Sequence, residues 1–238
     1  MIELQYTTKV TELLDIPELQ PQPAKNFVPE WYKKTPATNN RNENVLGLQH
    51  KLIPVFRTVK TCPSFHDIFS EGYVLVAPCD IHIMTTDNFN SFQWEMALNN
   101  PNIRLESHDN LQFLDYYNNK KIKFVFKFVS PWLFKLPQGY SLRQIPYTFA
   151  EHEEWTVPYG VVDTDSYSEV NPQIMFTSDS NEILLKAGEP LCYIVPFKRI
   201  DTKAKLLTGK NRDTFLKEHD VQSWKVNQSF RSGYRKSK

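Results

Sequence analysis

The run from Lys121 to Val129 alternates so strictly that only an extended strand accommodates it. Ile122, Phe124, Phe126 and Phe128 fall on one face, and Lys121, Lys123, Val125 and Lys127 on the other. A face carrying three phenylalanines must be buried against a second layer, so this strand predicts a packed β structure. Other segments repeat the message. Residues 1–8 can form an edge strand, and Gly72-Tyr73-Val74-Leu75-Val76 and Asp80-Ile81-His82-Ile83-Met84 are separated by a turn at Pro78. Val55 to Val59, Ser91 to Trp94, Trp132 to Leu136, Tyr140 to Ile145 and residues 157–162, 171–177 and 191–197 read as further strands. With 16 prolines and only 7 glycines, the turns between them are stiff. Many short strands between such turns predict a mainly β sandwich or barrel.

Helical signals are few. Pro29 followed by Glu30 opens a short helix carrying Trp31 and Tyr32, whose rings should pin that segment onto the body. Pro63 to Phe69 reads as a single helical turn, and residues 210–220 as a short C-terminal helix. Three regions are expected: an N-terminal segment over 1–50, a β domain over 51–200, and a helix with a basic tail over 201–238. Residues 36–50 read as a loop.

The formal net charge of +1 supplies no global pull toward nucleic acid or membrane. Cys62, Cys79 and Cys192 are odd in number and irregular in spacing, which predicts reduced, buried thiols. The first residues lack a basic stretch followed by an apolar run, so no secretory signal is expected, and no apolar stretch is long enough to span a bilayer. A reducing cytosol is the expected compartment.

Chemistry-bearing residues gather after Gly160. In Gly160-Val161-Val162-Asp163-Thr164-Asp165 two acids stand at a turn, with Tyr167 close behind. At the tip of a β-hairpin, Asp163 could hold a water or a hydroxyl, and Tyr167 could cover a ring. The alternative is that both acids accept backbone hydrogen bonds, as turn aspartates commonly do. His66-Asp67 and His152-Glu153-Glu154 have the right donor atoms for a metal but not a recognised ligand spacing, so no metal is expected. Cys62 and His66, four apart, could pair as nucleophile and base, but no orienting third residue is evident. Lys120, Lys121, Lys123, Lys127 and Lys135 interleave with phenylalanines, as in single-strand nucleic-acid sites. The strand period separates the two residue types, leaving the lysines as a solvated face or a guarded edge. The basic tail from Arg231 could also contact nucleic acid or a neighbouring subunit.

Four motifs, in order, resemble those of the dUTPase and dCTP-deaminase superfamily, whose fold is a β-clip or distorted jelly roll. They span roughly residues 68–197. Gly72-Tyr73-Val74-Leu75 is similar to that family's Gly-Tyr-Asp-Leu strand, and Gly139-Tyr140, leading to Pro146-Tyr147-Thr148, is similar to its Gly-Tyr and Pro-Arg-Ser. Gly160-Val161-Val162-Asp163 with Asp165 and Tyr167 resembles Gly-Val-Ile-Asp with Asp-Tyr. Lys186-Ala187-Gly188-Glu189 and the strand to Val195 resemble the closing segment. The departures are chemical: Val74 replaces an acid, Tyr147-Thr148 replaces the phosphate-gripping Arg-Ser pair, and of the glycine-rich C-terminal arm only Phe230-Arg231-Ser232-Gly233-Tyr234 has a counterpart. A second set of segments resembles an uncharacterised family of tailed-phage proteins. These are Phe27-Val28-Pro29-Glu30-Trp31-Tyr32-Lys33, Thr58 to Phe65, Pro131-Trp132 and Val162-Asp163-Thr164-Asp165.

Together the resemblances imply a phage-encoded β-clip protein, in the host cytoplasm or the virion, that self-associates, with a trimer as the family's usual form. The motif losses favour a non-catalytic structural or interaction module with a degenerate nucleotide pocket and no cofactor. The alternative is a divergent nucleotide hydrolase with Asp163 as general base, Tyr140, Asp165 and Tyr167 shaping the pocket, and magnesium as cofactor. A nucleic-acid-binding accessory protein is a further alternative. A virion component or a host protein is the expected partner.

Overall fold

The computed structural model describes residues 2–39, 56–86, 91–108, 122–147 and 154–228. The chain divides into two compact units, one formed by Met1–Phe27 with Glu71–Arg199 and the other by Val28–Ser70 with Ile200–Lys238. One boundary therefore falls inside the 1–50 segment and another inside 51–200.

In chain order the strands of the larger unit begin with β1 (Gln5–Thr8) and β2 (Gln22–Pro23). The smaller unit contributes α1 (Glu30–Lys34), the short pair β3 (Thr38–Asn39) and β4 (Phe56–Arg57), and α2 (Pro63–Ile68). The larger unit resumes with β5 (Tyr73–Val76), β6 (Ile81–Thr86), β7 (Ser91–Met96), β8 (Arg104–Ser107) and β9 (Phe124–Val129). Then come β10 (Trp132–Lys135), β11 (Tyr140–Pro146), β12 (Trp155–Thr156) and β13 (Gly160–Val162). It ends with β14 (Gln173–Phe176), β15 (Glu182–Leu185) and β16 (Pro190–Lys198). The helix α3 (Gly209–Gln228) belongs to the smaller unit. The protein is mainly β with few helices, as the sequence predicts, although α3 is longer than the expected 210–220.

All strand pairings among the described residues are antiparallel. The larger unit holds a five-stranded sheet in the order β13-β11-β16-β5-β2, a four-stranded sheet β12-β14-β9-β8, a three-stranded sheet β15-β6-β7 and the pair β1-β10. Their inner faces share one core that includes Leu75, Ile81, Phe124, Phe126, Phe128, Trp132, Leu142, Ile174 and Ile194. The strand from Phe124 delivers its three phenylalanines there, as its alternation requires.

The opposite face of β9 departs from expectation. Val125, grouped with the lysines, is fully buried and packs with Met175, its direct partner on β14, and with Ile122. Ile122 was expected beside the phenylalanines, but the strand begins only at Phe124, so the two-residue period does not extend back to it. A small apolar patch therefore interrupts the charged face, because β9 is internal to its sheet and β14 brings Met175 opposite.

In the smaller unit Tyr32 is buried, its ring 4.7 Å from that of Phe69, and Lys60 caps it with Nζ 4.6 Å from the ring centre. The Lys60 ammonium also donates to the Tyr32 carbonyl at 2.8 Å. Trp31, expected to pin the segment, is 39% exposed and meets the Tyr32 ring edge-on at 5.7 Å. Of the thiols, Cys79 and Cys192 are buried and Cys62 is half-buried; all are free.

Candidate functional site

The site grows from three chain turns that antiparallel pairing brings together. Pro137-Gln138-Gly139 turns the chain from β10 into β11, with the Tyr140 amide donating to the Pro137 carbonyl at 3.2 Å. Gly139 has φ +83°, the left-handed geometry that the third position of a type II turn demands. Register places Tyr140 opposite Lys198 on β16, so the next residue, Arg199, lies alongside Gly139 and donates its amide to the Gly139 carbonyl at 2.9 Å. On the other side β13 pairs with β11, so the turn at Asp163 enters the same corner.

That turn is not a hairpin tip. β13 belongs to the five-stranded sheet and the next strand, β14, to the four-stranded one. The chain crosses between sheets here, fastened by an isolated bridge between Leu133 and Glu169. The Asp163 carbonyl accepts the amides of Ser166 and Tyr167, both at 2.9 Å, which coils the crossing tightly.

Both acids are engaged by one arginine. Arg199 Nη1 lies 3.0 Å from Asp165 Oδ1, 3.0 Å from Asp163 Oδ1 and 2.9 Å from Ser141 Oγ, while Nη2 donates to Asp165 Oδ2. Asp165 Oδ2 also accepts the Gly139 amide at 2.8 Å, and Asp163 Oδ1 accepts the Ser141 hydroxyl at 2.6 Å. The guanidinium fork meets the Asp165 carboxylate two-pronged, the strongest geometry for this pair. Hydrogen bonding to Arg199 and then to Gly139 holds the Asp165 carboxyl down to about 2, against an ordinary 3.8. The Asp163 carboxyl is lowered as well, first by the Ser141 hydroxyl and then by Arg199. Its side chain is 54% exposed, whereas that of Asp165 is 9% exposed. Asp163 is therefore a solvent-reachable but weakly basic carboxylate.

Tyr140 is half-buried and packs against the main core. Tyr167 is 55% exposed and donates its hydroxyl to Glu169 Oε2 at 3.1 Å. Glu169 is itself held by Lys9 Nζ at 2.6 Å and Asn171 Nδ2 at 3.1 Å, which lower its carboxyl to about 2. Desolvation and then Glu169 raise the Tyr167 phenol. The structure thus joins Asp163 and Asp165 in one cluster and ties Tyr167 to its edge through the Asp163 carbonyl. Sequence reasoning missed Gly139 as a donor, Ser141 and Arg199. Nothing local marks Arg199; the register of β11 against β16 would have placed it beside Gly139.

The depressed carboxyls of Asp165 and Glu169 stabilise the fold above their ordinary values and stop doing so as pH falls toward about 2. Stability is therefore expected to decline between roughly pH 4.5 and 2. Arg199→Gln should lower the urea midpoint at pH 7 and flatten the part of that decline owed to Asp165 and Asp163. An Arg199→Gln profile running parallel to the wild type would disprove the clamp.

The positions Tyr147 and Val74, where the motifs depart from the resembling family, serve the packing of this fold. Tyr147 donates its hydroxyl to the Phe27 carbonyl at 2.8 Å, with its ring 5.2 Å from Tyr193. Val74 is fully buried with Ala24, Val76 and Tyr193, beneath the segment that β2 pairs onto β5. Thr148 lies outside the described residues, as do His152, Glu153, Lys120, Lys121 and the tail from Arg231.

The remaining candidates are ordinary surface features. His66 Nδ1 is 3.9 Å from Asp67 Oδ1, and His66 meets Cys62 through a backbone bond, amide to carbonyl, at 3.2 Å. Among the described residues no three His, Cys, Asp or Glu side chains converge as a metal ion requires. Lys127 pairs with Glu106, and Lys123 lies 2.8 Å from Asp179. Acids of the fold thus pair with Lys123 and Lys127. No described helix is long and apolar enough to cross a membrane.

No family model matches the chain, and no curated protein matches it. Among solved structures, the EIAV dUTPase in its native form is similar at 10% identity, covering 59% of this chain and 86% of its own, with a TM-score of 0.33. A single-site mutant of the dUTPase from phage phi11 of S. aureus, in which a structural Mg(II) ion is coordinated, is similar at 10% identity. It covers 59% of this chain and 84% of its own, with a TM-score of 0.32.

Proposed function

We propose that this chain is a non-catalytic β-clip protein of phage origin, acting as a structural or interaction module and requiring no cofactor. The observation that carries the reading is the state of Asp163. A general base works best with a pKa near the operating pH. Asp163 is instead lowered by Ser141 and Arg199, both of which engage its Oδ1. Arg199, the cation that meets both acids, is committed to these two carboxylates, which compete with any triphosphate for its charge. Tyr147 and Val74 support the same reading, the first by its bond to Phe27 and the second by its burial.

The test is a screen of the nucleoside triphosphates with magnesium, read as phosphate or pyrophosphate release and as thermal shift. Neither turnover nor a shift is expected. Turnover that disappears in Asp163→Ala would replace this reading with the nucleotide-hydrolase one, in which Tyr140, Asp165 and Tyr167 shape the pocket. Steeply salt-dependent binding to single-stranded DNA would favour the nucleic-acid alternative. The module reading also includes self-association, as a trimer. Light scattering at micromolar concentration should give three times the 28.0 kDa chain mass, and a monomeric mass would remove that part of the proposal.

A further inference from the structure

Trp94 sits on the wrong side of its strand for an exposed residue. On β7, Phe92 and Met96 face the core and pack against it. Trp94 lies between them, two residues from each, and so shares their face. Its direct partner on β6 is Ile83, which is 1% exposed. Yet Trp94 is 37% exposed. The reason is a cavity of about 400 Å³ on this core-facing side, floored by Trp94, Met96, Leu98, Pro101 and Ile103. That volume lies within the usual range of small-molecule sites.

The wall opposite Trp94 is preformed. The Asn100 amide donates to the Leu98 carbonyl at 3.1 Å, and the Ile103 amide to the Asn100 carbonyl at 3.0 Å. Asn100 Oδ1 also accepts the backbone and side-chain nitrogens of Asn102 at 3.0 and 3.1 Å. Arg104 at the mouth is fixed by Glu106, with Nε 2.8 Å and Nη2 2.6 Å from Oε1. A ligand phosphate would have to displace that carboxylate, so the site does not select anions. What remains is a largely apolar slot carrying an indole, with the exposed Asn99 amide and the acid Glu95 in its lining to accept a hydrogen bond.

We infer that this cavity is a binding site for a small, uncharged aromatic group of one or two rings carrying an N–H or O–H donor. The flat ring stacks on Trp94 against Leu98 and Pro101. Its donor reaches the amide oxygen of Asn99 or the open mouth. The inference is independent of the state of Asp163 and holds whether or not the chain is catalytic.

Indole is a suitable probe, titrated into the full-length protein labelled with nitrogen-15. The chain has 5 tryptophans, so their side-chain N–H signals report on the site and on four other positions at once. The Trp94 signal, identified by its loss in Trp94→Phe, should move alone, with a dissociation constant of about 1 mM for a fragment this small. Cyclohexanol, which has a donor but no aromatic face, should bind at least tenfold more weakly. Leu98→Phe, which fills the slot, should abolish the shift while the other indole signals stay in place. No movement of the Trp94 signal up to about 10 mM indole would overturn the inference. So would equal movement of all the indole signals, or unchanged binding in Leu98→Phe. Binding of N-acetylglucosamine in preference to indole would overturn the ligand class.

Discussion

Val74→Asp should destabilise the protein by about 3–5 kcal/mol and confer no nucleotide turnover. The substitution restores the acid that the resembling family carries in its Gly-Tyr-Asp-Leu strand. In this chain the position is sealed. Val74 has no exposed surface, sits opposite Tyr193 on β16 and Gln22 on β2, and packs with Ala24 and Val76. A carboxylate there loses its hydration without gaining a cation, and burial shifts it toward the neutral acid. The neutral acid still leaves polar atoms to satisfy where a valine was packed. Against the 5–15 kcal/mol that ordinarily separates folded from unfolded chains, the loss is large. Urea unfolding at pH 7 measures it, with Val74→Ala as the control for lost packing alone, at about 2 kcal/mol. A Val74→Asp protein as stable as Val74→Ala would show that position 74 tolerates a charge. Acquired turnover would show that the site lacked only this residue.

Gly72→Ala should cost about 2–4 kcal/mol, at least twice the effect of Gly139→Ala. Both glycines have left-handed backbones, φ +73° and +83°. They differ in what surrounds them. A Cβ on Gly72 would stand 2.4 Å from the Ile194 carbonyl oxygen and 3.0 Å from Val195 Cγ2, whereas one on Gly139 meets nothing within 4 Å. At Gly139 only the dihedral penalty of about 1 kcal/mol applies. At Gly72 the backbone of β16 must also give way, directly beside its pairing with Tyr73. Thermal unfolding of the two variants side by side settles the comparison, and equal losses would refute the steric argument. If the difference holds, packing alone is enough to require this glycine, and its presence is no sign of catalysis.

Residues that answer to a local rule were legible in the sequence. The alternation around Phe126 gave a strand and its buried face, and Pro137-Gln138-Gly139 gave a turn. Pairing decided what was not legible. Val125 reads as a surface residue until β14 brings Met175 opposite it. Asp163 reads as a hairpin acid until β13 and β14 are seen to join different sheets. Arg199 follows Lys198 with nothing local to mark it, and only the register of a nine-residue strand carries it to Asp165. The acids themselves were visible because turns favour aspartate. Their partners lie 22 to 36 positions away along the chain, beyond any local pattern.

Those separations bear on the order of events in folding. The links from Ser141 to Asp163, Gly139 to Asp165, Arg199 to Asp165 and Arg199 to Ser141 span 22, 26, 34 and 58 residues. The first two need β13 in register beside β11, and the two made by Arg199 need β16 in register there as well. Contacts that close so much chain are expected to form late in folding and so to do little to hasten it. They act on the return path, where a chain that has begun to open must first release Arg199, and their effect is to lengthen the lifetime of the folded state.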